Sequence, residues 1–148
     1  MEIKRFKPKI DKLFWLIFIP SALLMLGITA LALIDAPAAL FIMIPCDLLV
    51  FYFLITTLFG YVELRENEVF IKFGFFMKRA IPYEKIRGFT KERKFYSDSM
   101  TSLKNAFDHV NIKYNTFDVV SVSVTDNEAL IAEIEKRRQQ SSAAPHHS

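Results

Sequence analysis

Leu13 to Ile34 reads LFWLIFIPSALLMLGITALALI, 22 residues without a charged side chain. As an α-helix this stretch extends about 33 Å at 1.5 Å per residue, enough to cross the hydrocarbon core of a bilayer, about 30 Å thick. A second run of the same length, Ala38 to Phe59, carries one charged residue, Asp47. Only Asp35, Ala36 and Pro37 separate the two, room for nothing but a reversal of the chain. Residues 13–34 and 38–59 therefore predict a transmembrane helical hairpin.

Working outward, residues 1–12 form a basic tail with Lys4, Arg5, Lys7, Lys9 and Lys12 against two acids. The turn has no basic residue, whereas the region after Phe59 has many, and basic residues near membrane ends favour the cytoplasmic side. The expected topology is a multi-pass protein of the bacterial cell (inner) membrane with both termini cytoplasmic. A cleaved secretory signal ending at Ala30-Leu31-Ala32 competes with this, but the apolar run is longer than a usual signal core. Pro20 and Pro45 lie inside the spans, where a bilayer tolerates them as kinks. Asp47 lies near mid-membrane, where a carboxylate costs on the order of 2.5–3.5 kcal/mol. Neither span offers it a Lys, Arg or His. It stays protonated, bonds a small polar group such as Thr29, or faces a partner; a transport route would need more polar residues along it.

The 52% hydrophobic content is concentrated in these spans, and beyond Phe59 continuous apolar sequence gives way to alternation. Val62 and Leu64 point one way, Tyr61, Glu63 and Arg65 the other, and Val69, Ile71 and Phe73 resume the pattern after Glu66-Asn67. Gly74 supplies a tight turn. Residues 77–82, 86–90, 109–114 and 120–124 read as further strands of a meandering antiparallel sheet, with a short helix expected at 103–107. Val120, Val122 and Val124 alternate with Ser121 and Ser123, one apolar and one polar face. Thr125 to Glu128 matches a capping box, with Thr125 as the cap of a helix that buries Leu130, Ile131 and Ile134 and turns Glu133, Glu135, Lys136 and Arg137 to solvent. The domain is expected over 60–140, and a disordered tail over 141–148.

The chain here resembles the bacterial PH-like family found behind one or two membrane helices. The resemblance is carried by Tyr61-Val62-Glu63-Leu64, Ile71-Lys72-Phe73-Gly74-Phe75, Ile81-Pro82-Tyr83-Glu84-Lys85-Ile86, Ser102-Leu103-Lys104-Asn105, the strand Val110–Tyr114, and Val122 to Ile134. It implies a bent antiparallel sheet or partly open barrel closed by a C-terminal capping helix. Family members carry a serine- and proline-containing loop before the Ser-Leu segment, and Phe95 to Thr101 has no proline. The family includes an immunity protein that protects a bacteriocin producer. These motifs are structural, so they speak to fold rather than to activity.

Catalytic equipment is not visible: there is no nucleophile elbow, glycine-rich phosphate loop, paired metal-ligand histidines or Cys-x-x-Cys, and Cys46 is the single cysteine. No cofactor, metal or enzyme activity is expected. His109 is read as structural, because no acid is placed in sequence to orient it. The charged feature that stands out is Lys72, Lys78, Arg79, Lys85, Arg87, Lys91, Arg93 and Lys94 against Glu84 and Glu92, interleaved with Phe73, Phe75, Phe76, Tyr83 and Phe89. Only Gly60 separates the second span from the domain, so this stretch is a candidate contact for anionic headgroups or a protein or peptide partner, at about 1 kcal/mol per cation on an anionic leaflet. Nucleic acid is not expected for a domain tied to a membrane. A solvated basic face is the competing reading. Function is accordingly expected to be a non-enzymatic, membrane-anchored binding module, in envelope protection or immunity, or else an oligomeric transport or assembly subunit using Asp47.

Overall fold

The computed structural model describes residues 2–94, 102–103 and 106–143. The Phe95–Thr101 loop and the histidines of the tail, His146 and His147, lie outside them. Two long helices come first, α1 (Lys12–Asp35) and α2 (Leu40–Thr56), joined by a 3-10 turn at Pro37–Ala39. Asp11 caps α1, its carboxylate accepting from the Leu13 amide at 3.0 Å. Both helices are long and apolar enough to cross a membrane, and only 6% of the most apolar window of each is buried. That exposure sets them apart from the core helices of a water-soluble domain, whose apolar faces are covered.

The domain that follows is two four-stranded sheets. The first has the order β1-β2-β3-β4, with β1 Lys4–Phe6, β2 Tyr61–Leu64, β3 Glu68–Phe73 and β4 Met77–Pro82, all antiparallel. The second has the order β5-β7-β8-β6, with β5 Ile86–Arg93, β6 Ser102–Leu103, β7 Asp108–Tyr114 and β8 Asp118–Val122. A 3-10 turn at Tyr83–Lys85 carries the chain from one sheet to the other. The helix α3 (Asn127–Ala143) follows the last strand. The expected partly open, helix-capped barrel is thus present.

The period-two pattern decides the interior. Val62, Leu64, Val69, Ile71 and Ile81 of the first sheet meet Ile86, Val110, Ile112, Val120, Val122 and Val124 from the second, with Leu130 and Ile134 of α3 in the same core. Full burial of each such side chain stabilises the fold by roughly 1.5–3 kcal/mol.

Five local expectations need correction. The basic tail is not a separate region: Lys4, Arg5 and Phe6 pair with Leu64, Glu63 and Val62 as β1. Beyond it, Pro8 bridges to Val124, and the Lys9 and Thr125 amides donate to Ser123 and Lys7 carbonyls, so this segment crosses from one sheet to the other. Ser102–Leu103 is a strand parallel to β8 rather than the start of a helix. The serines of β8 do not form a wet face, since Ser121 and Ser123 are fully buried and donate to Asn111 Oδ1 and the Asp108 carbonyl. Asp126, not Thr125, caps α3 by accepting from the Ala129 amide at 2.9 Å, while Thr125 turns to the Lys7 carbonyl. The last helix runs through Ser141, Ser142 and Ala143, three residues into the expected tail.

Candidate functional site

The eight cations of the basic stretch do not share one environment. Lys72 and Lys78 are direct cross-strand neighbours in β3 and β4, and among the described residues neither has a carboxylate within ion-pair distance. The Lys72 ammonium lies 5.9 Å from the Tyr61 ring centroid. Arg79 donates to the Tyr114 hydroxyl at 2.7 Å. Lys85 and Arg87 are exposed around the turn into β5. At the far end of β5, Lys91 pairs with Glu128, Arg93 lies 3.7 Å from Asp108, and Lys94 lies 3.2 Å from Glu92.

The uncompensated pair sits just behind the tip of the β3–β4 hairpin, which rests on α2. Gly74, at φ 75°, is placed so that a Cβ would come within 2.4 Å of Thr56 Cβ and 2.9 Å of the Thr56 carbonyl oxygen. Glycine is needed here for both the left-handed backbone and the close approach. Phe75 packs on Phe59 with centroids 5.1 Å apart, and Phe76 stacks on Tyr52 at 6.4 Å. The second sheet touches the other helix, where Phe107, just before β7, meets Phe14 of α1 edge-on at 6.0 Å.

A cleft of about 420 Å³ opens between the ends of β5 and β7 and the start of α3, lined by Lys9, Lys91, Arg93, Asp108, Asp126 and Glu128 among others. At its base the buried His109 has Nδ1 3.1 Å from the Phe107 carbonyl and Nε2 3.6 Å from a Glu92 carboxylate oxygen. Pairing of β5 with β7 brings Glu92 opposite His109, an acid that linear reading misses because the register is set by an irregularity at Ile86–Gly88. His109 is 1% exposed and lines the floor of the cleft.

A domain of this shape, with two sheets, a capping helix and a sequence match over residues 60–138 to the profile described as Bacterial PH domain, decides the family. The chain belongs to it. No curated protein and no solved structure matches the chain. The match leaves out β1, so this bacterial PH domain takes an edge strand from in front of its helices.

That strand shapes the outer face of the first sheet. Glu63, opposite Arg5 in the register, accepts from Arg5 at 2.8 Å and from Arg65 at 2.9 Å and is nearly buried by them. The two guanidinium groups hold its carboxyl below the usual carboxylate range, mainly through the hydrogen bond from Arg5 and then that from Arg65. Arg5 also lies 4.2 Å from the Tyr61 ring centroid and Arg65 3.9 Å from that of Phe70.

Arg137, expected in solvent, is 4% exposed. It donates to the carbonyls of Leu64 and Arg65 at 3.1 Å and of Glu2 at 2.6 Å, and to Glu133 at 3.0 Å, which pins α3 to the first sheet. Glu133 is held below its ordinary pKa chiefly by that hydrogen bond. The spacing of Arg137 from Leu130 and Ile134, seven and three residues, is the signal that its side chain lies on the buried face. In the helical pair, Thr29 donates to an Asp47 carboxylate oxygen at 2.7 Å and Asp47 is 8% exposed.

Proposed function

We propose that this protein is a non-enzymatic binding module that its two helices hold at the inner face of the bacterial cell membrane, where the PH domain docks a protein, peptide or lipid surface in envelope protection or immunity. The observation that carries this reading is the pairing of β1 with β2 across the helices. Strands on either side of a hairpin can pair only if both ends of the hairpin emerge on one side, which agrees with the basic residues at both ends and supports cytoplasmic termini. With Gly60 as the only connection to β2, the domain has no tether that would let it leave the surface. The mutually neutralising charges of the cleft favour binding over catalysis.

Quantitative crosslinking of the full chain in native bacterial membranes tests this. A specific partner enriched over neighbours of equal abundance is the expected result. Recovery of abundant neighbours alone would count against protein docking. Asp47 as the working residue of an oligomeric or transport subunit is the other reading. Its hydrogen bond to Thr29 favours a satisfied structural role, so Asp47→Asn should leave both oligomer state and ion flux unchanged.

A further inference from the structure

We propose that the tip of the β3–β4 hairpin, Phe75 to Met77, is a third membrane element that enters the headgroup–acyl boundary of the bilayer alongside α2. This rests on the reading that α1 and α2 span a membrane and adds to it where the PH domain itself meets lipid.

Depth is the first observation. The tip descends along α2 from Phe59, beside Phe75, past Thr56, beneath Gly74, to Tyr52, which stacks on Phe76. Phe59 and Tyr52 are seven residues apart, four steps in α2 and three in the 3-10 turn Thr57–Phe59, about 12 Å at 1.5 and 2.0 Å per residue. If α2 spans the bilayer, a ring at the level of Tyr52 is about that far inside the end of the span.

Exposure is the second. Phe75, Phe76 and Met77 are 51%, 81% and 53% exposed, three consecutive large apolar side chains at the end of a solvent-facing hairpin. In water such a run is a liability unless something covers it. It is continuous with the exposed apolar side of α2, where Leu48, Leu49 and Ile55 also face outward. One medium covers both surfaces, and that medium is lipid.

Charge is the third. One residue behind the Phe73–Met77 pair, Lys72 and Lys78 stand directly opposite each other, with no acid in ion-pair distance among the described residues. Like charges opposed across a strand pair are destabilising, and an anionic headgroup between them turns that repulsion into attraction worth about 1 kcal/mol per cation. An apolar tip followed by a cationic collar matches the order of layers met on leaving a membrane. The hairpin also enters with its backbone paired up to the Phe73–Met77 rung, which limits the unpaired amide groups brought to the boundary.

The test uses the full chain in nanodiscs of phosphatidylcholine and phosphatidylglycerol with lipids brominated at a shallow acyl position to report the tip and near the chain end to report the span. Trp15 is the only tryptophan, so Trp15→Phe gives a silent background for Phe76→Trp or, as the reporter of the span itself, Leu48→Trp. Far-UV circular dichroism checks that each variant keeps its helices and sheets. For a ring about 5–10 Å into the boundary, Phe76→Trp should be quenched to within about twofold of Leu48→Trp. Quenching of Leu48→Trp alone, with water-exposed emission from Phe76→Trp, overturns the wedge and leaves the spanning helices standing. Quenching of Leu48→Trp alone with blue-shifted Phe76→Trp emission puts a protein surface or a second copy on the tip and also overturns it. Quenching of neither overturns the membrane reading and the wedge with it.

Discussion

Lys72 and Lys78 in the first sheet, and Lys91, Arg93 and Lys94 in the second, belong to one basic run along the chain, yet they end in opposite electrostatic conditions. The first two face each other with no carboxylate within ion-pair distance among the described residues, beside an exposed apolar tip. The other three are each met by an acid, Glu128, Asp108 or Glu92, brought from α3, β7 or the same strand. Charge counted along a sequence is therefore not charge displayed on a surface. The run is a candidate binding feature only where folding leaves it uncompensated.

The most severe way to break this contrast is to loosen the frame of the first sheet. Arg137→Ala removes the side-chain donor to the Leu64 and Glu2 carbonyls and to Glu133, and leaves the Arg65 carbonyl with the Tyr83 hydroxyl. The expected loss is about 3 kcal/mol, in the range for removing one partner from a buried charged network, read by denaturant unfolding in detergent. Next, Gly74→Val forces a Cβ into Thr56 and a β-branched residue into a left-handed backbone, at a cost of about 1–3 kcal/mol. It should also reduce crosslinking by a short bifunctional maleimide between cysteines placed at Tyr52 and Phe76 in a Cys46→Ser background, because the rings no longer stack.

The acid at the centre of the outer face sharpens the contrast through pH. Glu63 has a folded-state pKa below its ordinary 4.5, so its contribution is complete above that value and is lost as the pH falls below it, through the folded pKa. Melting temperature should drop over that acid window, and Glu63→Gln should flatten the drop while lowering stability at neutral pH. Smaller still, Lys78→Glu should stabilise the domain by roughly 0.2–1 kcal/mol by pairing with Lys72, while lowering the lipid quenching of Phe76→Trp in phosphatidylglycerol nanodiscs. Opposite signs in the two measurements would separate membrane contact from fold. The least effect is expected at Lys91, whose ion pair with Glu128 is largely exposed. Lys91→Ala should change stability by less than about 1 kcal/mol, and by less again in high salt.

What could be read from the chain follows the physics that each element relies on. The helical pair declares itself through unbroken apolar length, and β2, β3 and β8 through alternation, because local patterns suffice for both. Strand β1 is silent by that criterion: three residues, two of them cationic, become a strand only because β2, more than fifty positions away, offers an edge. The Glu92–His109 apposition and the acids that meet Lys91 and Arg93 likewise depend on register and tertiary packing, which no single stretch encodes. Arg137 is different. Its helical spacing from Leu130 and Ile134 marks the buried face, while its charge argues for solvent, since a long cation is ordinarily solvated unless carbonyls wait to receive it.

The strand borrowed from ahead of the helices also orders events during synthesis. β1 is made first, but its partner β2 emerges only after both helices have been translated, so the edge stays open until then. On the proposed reading that the helices span a membrane, a chain that inserts one of them leaves the two strands on opposite sides, and its sheet cannot close. Closure of the first sheet is on that reading coupled to insertion of both helices.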